Sequence, residues 1–399
     1  MAERTLLLIA DAFYPAELPP ECKTNTHLAL ALGRRGWDVA IWAGYGARIP
    51  PSSVNVRIVR APKVWNLGEV FRIFMWLVKN KPTQIVLMYH CALYSCRSAI
   101  NWIPIIALFV GARCITLFTN GEAPTRSVWQ DRTLSALGYR GLVPYSIGPL
   151  GAADKIIFYS DANRKCLLGA DTLNLKVRSQ ILNPPDTLPV ETLTDRSSFR
   201  ASVGLTDNNF LIGYFGLLYP GKGIEWLLEA MLILKSKGID TKLILVGPNG
   251  GVTANDGWNS ACREYEKSLK SKARDLDIEK MILWGGFYND LRTVECLSSC
   301  DIACLPFDDG LSNMRSSFIT CAHIGLPLIT TQTSDTDEFL RDPSSGIIYV
   351  EPRNPAQIAD SIFLLYKDPE RTRQCGLMLK NFAAKHYSNE RFVDCFDMA

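Results

Sequence analysis

No apolar run in the chain reaches the roughly 20 residues that a membrane-spanning helix requires. The longest greasy stretch, Trp102 to Phe118, is interrupted by Pro104, Gly111 and Arg113, which suits a buried helix followed by a buried strand. Neither sign of charge is in excess: 43 Lys and Arg face 40 Asp and Glu, for a net charge of +3. With no basic run, nucleic acid is not expected as the main partner. The first apolar run, Leu6 to Ile9, is too short for the core of a secretory signal and a polar stretch follows it. A reducing cytoplasm is therefore the expected setting for the 12 cysteines. Cys296, Cys300 and Cys304 recur every four residues, but no histidine lies near enough to complete a zinc spacing. These cysteines read as packing and no metal is expected. Also missing is the Gly-x-Gly-x-x-Gly that follows the first strand of nicotinamide-dependent dehydrogenases; Asp11-Ala12-Phe13-Tyr14-Pro15 stands in its place.

What is present is the composition of a folded chain, with 47% hydrophobic and 21% charged residues. At 399 residues it is long enough for two domains of roughly 100–200 residues each. Short apolar runs alternate with helical patterns from end to end. Strands are expected at 5–10, 38–43, 56–59, 84–89, 113–119 and 155–160, with helices at about 24–35, 68–80 and 97–110. The pattern breaks at Asn183-Pro184-Pro185-Asp186 and resumes with strands at 210–215, 242–246, 281–284, 301–305 and 327–330. Helices between and after them are expected at 224–237, 259–275, 290–299, 312–324 and 355–367. Continuous apolar strands separated by helices indicate parallel sheets covered on both faces. The expected architecture is α/β, with two doubly wound Rossmann-like domains. Their boundaries are placed at 1–190 and 191–384, and a segment 385–399 crosses back to the first. One helix is unusual: Phe71, Ile73, Phe74, Met75, Trp76 and Leu77 make it either a core element or a peripheral membrane contact.

Ligands of open α/β sheets bind beyond the carboxyl ends of the strands, so the strand-end loops are where chemistry is expected. Gly213-Tyr-Phe-Gly216-Leu-Leu-Tyr219-Pro-Gly-Lys222-Gly223 carries one lysine on a glycine-rich loop into a helix start. Such a loop suits a phosphate, because glycines admit it to the backbone and the helix N-terminus offers unpaired N–H groups; it also suits an ordinary turn with a solvated lysine. Val246-Gly247-Pro248-Asn249-Gly250-Gly251 is a second, less specific loop. The third, Pro306-Phe307-Asp308-Asp309-Gly310-Leu311-Ser312-Asn313-Met314-Arg315-Ser316-Ser317, leads from a strand to a helix. The N–H groups after Gly310, with Ser312 and Arg315, form a candidate cradle for a diphosphate.

Taken together, these strings resemble the retaining nucleotide-sugar glycosyltransferases of family 4, which have the two-Rossmann-domain GT-B fold. The resemblance is specific over about 210–335 and agrees with the general layout elsewhere. It implies transfer of a sugar from a nucleotide diphosphate donor, most commonly a UDP-sugar such as UDP-glucose, to a glycan or lipid-linked acceptor in polysaccharide synthesis, without a metal or other cofactor. By the same resemblance Lys222 contacts the donor diphosphate, and Asp309 falls at the first glutamate of the family's Glu-x7-Glu motif, near the donor sugar. Gly216, Gly247, Gly310, Leu311, Ser312, Asn313 and Ser317 fall along the donor-binding segments, and Phe287 lies in the loop near the nucleobase.

The chain departs from that pattern in four places. Ser317 replaces the second glutamate, which holds the ribose in the family. The arginine that accompanies the lysine is missing, with Leu217 and Leu218 in its region, and Arg315 is the candidate substitute. No double glycine occurs between Pro20 and Thr26. The expected histidine after strand 113–119 is replaced by Asn120-Gly121-Glu122. Of the four histidines, His27, His90, His323 and His386, His90 ends a strand and is the catalytic candidate. His323 reads as packing, and His27 and His386 as surface or cap residues. Glu122 is a candidate contact to the acceptor. A nucleotide-sugar hydrolase or epimerase, and a non-catalytic nucleotide-sugar-binding scaffold, are the alternative functions of such an architecture.

Overall fold

The computed structural model describes residues 4–14, 20–51, 53–90, 94, 98–119, 152–168, 179–186, 188, 195–250 and 256–397. The chain forms two compact units, Met1–Pro184 with Asn389–Ala399, and Pro185–Ser388. The break therefore falls within the Asn-Pro-Pro-Asp turn.

The first unit contains β1 (Thr5–Ala10), α1 (Pro20–Arg34), β2 (Asp38–Ala43), β3 (Val56–Arg60), α2 (Leu67–Asn80) and β4 (Gln84–Tyr89). It continues with α3 (Ile103–Val110), β5 (Arg113–Phe118), β6 (Lys155–Phe158), α4 (Asp161–Leu168) and β7 (Ser179–Ile181). The sheet runs β3-β2-β1-β4-β5-β6-β7, with every pairing parallel. Both faces are covered, so all six residues of β4 are buried, as a parallel sheet requires. Strand order reverses between β1 and β4, which opens a crevice at their carboxyl ends.

The second unit contains α5 (Arg196–Ser202), β8 (Phe210–Phe215), α6 (Ile224–Ser236), β9 (Thr241–Val246), α7 (Asp256–Asp275) and β10 (Ile282–Gly286). Next come α8 (Asp290–Ser299), β11 (Ile302–Leu305), α9 (Ser316–Ile324), β12 (Leu328–Thr331), β13 (Ile348–Val350), α10 (Pro355–Lys367) and α11 (Pro369–His386). Its order, β10-β9-β8-β11-β12-β13, reverses between β8 and β11. The final helix, α12 (Asn389–Asp394), belongs to the first unit, where Arg35 meets Asp394 at 2.6 Å and Trp37 donates to Asp397 at 2.7 Å. Within the second unit, Arg200 is completely buried. It donates to Ser299 O (2.9 Å), Asn209 O (2.8 Å) and Asp301 Oδ2 (2.7 Å), so its buried charge is paired and its other donors are satisfied. The four-residue cysteine spacing is packing: Cys296, Cys300 and Cys304 are buried, and Cys300 Sγ fills the space beside Gly213.

Several elements differ from the sequence expectations. Helix α1 starts at Pro20 rather than at about 24, and the stretch 97–110 is a 3₁₀ turn over Ser98–Trp102 followed by α3, which has Pro104 in its first turn. Helix α9 starts at Ser316 instead of 312, because residues 311–313 are held to neighbouring segments by backbone bonds described below. Strands β7 and β13 and helices α4, α5 and α11 were not foreseen; the two strands are three residues long and carry little pattern. His27 is largely buried, and burial lowers its pKa, while His386 packs its ring against Phe382. His27 is therefore not a surface residue, while His386 ends α11, in keeping with the expected cap position.

Candidate active site

The second unit's switch point lies between β8 and β11, and the loops leaving these two strands touch. Asp308 N donates to Gly221 O at 3.0 Å. Gly223 has φ +69°, and a Cβ there would lie 1.8 Å from Pro306 O, so only glycine permits the approach. The neighbouring strand end is tied in as well: Gly216 N donates to Val246 O (3.0 Å) and Gly247 N to Gly286 O (2.8 Å).

Lys222 sits at this junction, only 8% exposed. Its Nζ lies 4.6 Å from the centre of the Tyr219 ring and 4.9 Å from that of Phe307. No carboxylate among the described residues hydrogen-bonds or ion-pairs with it. Burial, aided by the nearby Arg315 charge and opposed by Asp309, lowers its pKa from 10.5 to about 7. Arg315 stacks on the same Phe307 ring at 4.5 Å and donates to Asp309 Oδ1 at 2.6 Å. Its Nε is buried without a hydrogen-bond partner. The Lys222 amine and the Arg315 guanidinium thus share one aromatic ring, and the exposed Asp309 carboxylate pairs with the guanidinium.

The loop from Gly310 to Arg315 offers fewer donors than its sequence suggests. Gly310 has φ +83° and donates to Phe307 O at 3.3 Å; Leu311 N donates to Thr331 O at 2.9 Å. Asn313 N donates to Asp337 Oδ2 at 2.8 Å, and the fully buried Asn313 Oδ1 accepts from Tyr387 at 2.7 Å. The N–H groups of 310, 311 and 313 are therefore spent inside the protein, which corrects the expectation of a continuous cradle. The uncommitted feature is the start of α9, where Arg315 supplies no side-chain cap. Ser317 lies in that first turn, its Oγ 3.9 Å from where a Cβ of Gly216 would stand. Ser312 is half-buried, beside these residues in the loop.

Asp308, adjacent to Asp309, was passed over by sequence reasoning. Its carboxylate accepts from Trp226 Nε1 at 3.0 Å and Arg353 Nε at 3.1 Å, so it anchors the loop while Asp309 points outward. Nothing local distinguishes two adjacent aspartates; the partners do. Phe287 follows β10, 48% exposed and two strands from β8 in the sheet, outside the Lys222 cluster.

In the first unit, His90 follows β4, with Nε2 3.5 Å from Glu21 Oε1 and Nδ1 buried without a hydrogen-bond partner. Across the β1–β4 switch point, Asp11 accepts from Trp65 Nε1. Burial raises the Asp11 pKa against that bond and the His90 charge. Glu21 and Asp11 were missed because their relation to His90 is tertiary. Glu122 lies outside the described residues. Among the described residues no three His, Cys, Asp or Glu side chains are grouped to hold a metal ion. A separate cavity of about 440 Å³ lies at the amino ends of the second unit's strands, lined by Phe210, Asp301, Pro327 and Tyr366 among others.

Residues 195–379 match the family described as "Glycosyl transferases group 1". A curated relative, the alpha-D-kanosaminyltransferase of Streptomyces kanamyceticus, is 22% identical over 198 residues, covering 50% of this chain and 47% of that protein. The chain thus matches only about half the length of such relatives. Among solved structures, a glycosyltransferase from Rickettsia africae superimposes with a TM-score of 0.74 at 15% identity, covering 99% of this chain and 97% of that one. Anabaena Alr3699/HepE, solved in complex with UDP and glucose, gives 0.69 at 14% identity with 98% of both chains covered. The fold is GT-B, with two parallel-sheet Rossmann-like domains, and the matches support a group 1 glycosyltransferase.

Proposed function

We propose that the protein transfers a sugar from a nucleotide diphosphate sugar to a glycan or lipid-linked acceptor with retention of anomeric configuration. The observation that carries this reading is Lys222: a buried amine without a carboxylate partner, beside Arg315 and the uncapped start of α9, at a sheet switch point. A protein gains nothing in stability from burying an unpaired ammonium; a dianionic ligand would offset that cost. The HepE complex with UDP and glucose favours a UDP-sugar as the donor.

Breaking the glycosyl–phosphate bond develops positive charge on the ring and negative charge on the diphosphate. Lys222, Arg315 and the N–H groups opening α9 stabilise the leaving group, each such donor contributing about 3–4 kcal/mol to the barrier reduction. Arg315 turns from Asp309 toward phosphate, and this frees the carboxylate to orient the sugar hydroxyls. With no carboxylate assigned as nucleophile, retention follows from attack on the face of the leaving phosphate, which takes the acceptor proton. His90 is proposed to act on the acceptor, and Phe287 on the base. Incubation with UDP-glucose and a panel of glycan and lipid-linked acceptors tests the reading. Acceptor-dependent release of UDP, reduced at least about 100-fold in Lys222→Ala, supports it. Acceptor-independent release of UDP, or binding without turnover, would replace it with hydrolysis or a scaffold.

A further inference from the structure

Helix α2 presents two apolar faces. Val70, Ile73 and Leu77 are buried in the first unit's core, which would satisfy an ordinary amphipathic helix. A second row, Leu67, Phe71, Met75 and Val78, follows the same helical spacing on the outside, with Leu67 72% and Phe71 62% exposed. The neighbouring helix α3, which packs against α2, adds Leu108 and Phe109, the latter 82% exposed. Helix α3 carries no charged residue at all. Apolar side chains scattered singly need no explanation, but a row of four on one helix with two more on the helix packed beside it does.

The charge around this face identifies what it meets. Between residues 39 and 121 the chain has nine Lys and Arg and one acidic residue, Glu69. The remainder of the chain has 34 basic against 39 acidic residues, so the near-neutral total conceals an uneven distribution along the sequence. Glu69 is buried and held by Arg60 and Arg72, which removes the region's one negative charge from the surface. Lys63, Arg72, Lys79 and Lys81 are exposed on or beside α2. On the helix, Arg72 and Lys79 border the outward apolar row, and Lys81 ends it. An apolar row with a basic border, on helices whose one carboxylate is buried and paired, is complementary to an anionic lipid surface, with ring and methylene groups among the acyl chains and ammonium groups at the headgroups. Among the described residues no helix is long and apolar enough to span a membrane, so the contact is one of attachment in the plane.

We propose that the outward face of α2 and α3 docks the protein on an anionic lipid bilayer. The proposal stands on the surface of the first unit and does not depend on the donor reading of the second. The test is co-sedimentation of the full chain with phosphatidylcholine vesicles, with and without phosphatidylglycerol. The protein is expected to pellet with the anionic vesicles, less so as salt is raised. Phe71→Ser with Phe109→Ser should weaken partitioning about tenfold or more, and Lys79→Glu with Lys81→Glu should weaken it about tenfold on anionic vesicles. Circular dichroism of each variant checks that the fold is kept. Failure to pellet, pelleting unchanged by the Phe pair, or equal binding to neutral vesicles would overturn the proposal. A dimer in sedimentation velocity that is lost in the Phe pair, without vesicle binding, would assign the face to a second copy of the chain instead.

Discussion

Lys222 concentrates the physical tension of the site in one amine. In the unfolded chain it titrates near 10.5 and in the folded protein near 7, so between these values the unfolded state binds more protons. The sign follows: stability of the ligand-free protein rises with pH through this window. A bound diphosphate reverses the preference by restoring the charged amine, so binding above about pH 7 must take up a proton. Calorimetry at pH 8 in buffers of different ionisation enthalpy is expected to show uptake of a fraction of a proton in the wild type and none in Lys222→Met. Equal uptake in both would assign the linkage to another group. The sequence marks Lys222 on one strand-end loop and Asp309 and Arg315, six residues apart, on another, each legible from its own short string. It does not show that Arg315 and Asp309 pair with each other, nor that Asn313 is consumed by Tyr387, 74 residues away. Those are tertiary facts, invisible to spacing.

At the scale of elements, the site exists because two loops approach more closely than side chains allow. Gly223 is at once the residue before α6 and the contact to Pro306 O. Gly223→Ala meets both an unfavourable φ and a carbonyl, and is expected to cost about 3 kcal/mol or more. Urea denaturation reads that loss; a midpoint within error of wild type would show that the loops part without cost. Strand positions were legible because buried parallel strands are continuous apolar runs. Helix α9 was misplaced by four residues because Gly310 to Arg315 contains nothing that forbids a helix; bonds to Thr331 and Asp337 hold it as a loop. For α2, composition gave the helix and its greasiness but not its second exposed face, which emerges only once the core has taken Val70, Ile73 and Leu77.

For the whole molecule, the alternation of strands and helices sufficed for two doubly wound units, each with its order reversal beside the first strand. Topology then places the candidate residues: loops after β8 and β11 in one unit, His90 after β4 in the other. The central claim is that the second unit holds the donor diphosphate on Lys222 and Arg315. It is tested most directly by calorimetric titration of the protein with uridine, guanosine and adenosine diphosphates, repeated on Lys222→Ala and Arg315→Ala. Saturable binding of uridine diphosphate, weakened at least about tenfold in each variant, is the predicted result. Binding that survives both substitutions, or no binding of any of the three nucleotides, would contradict the account.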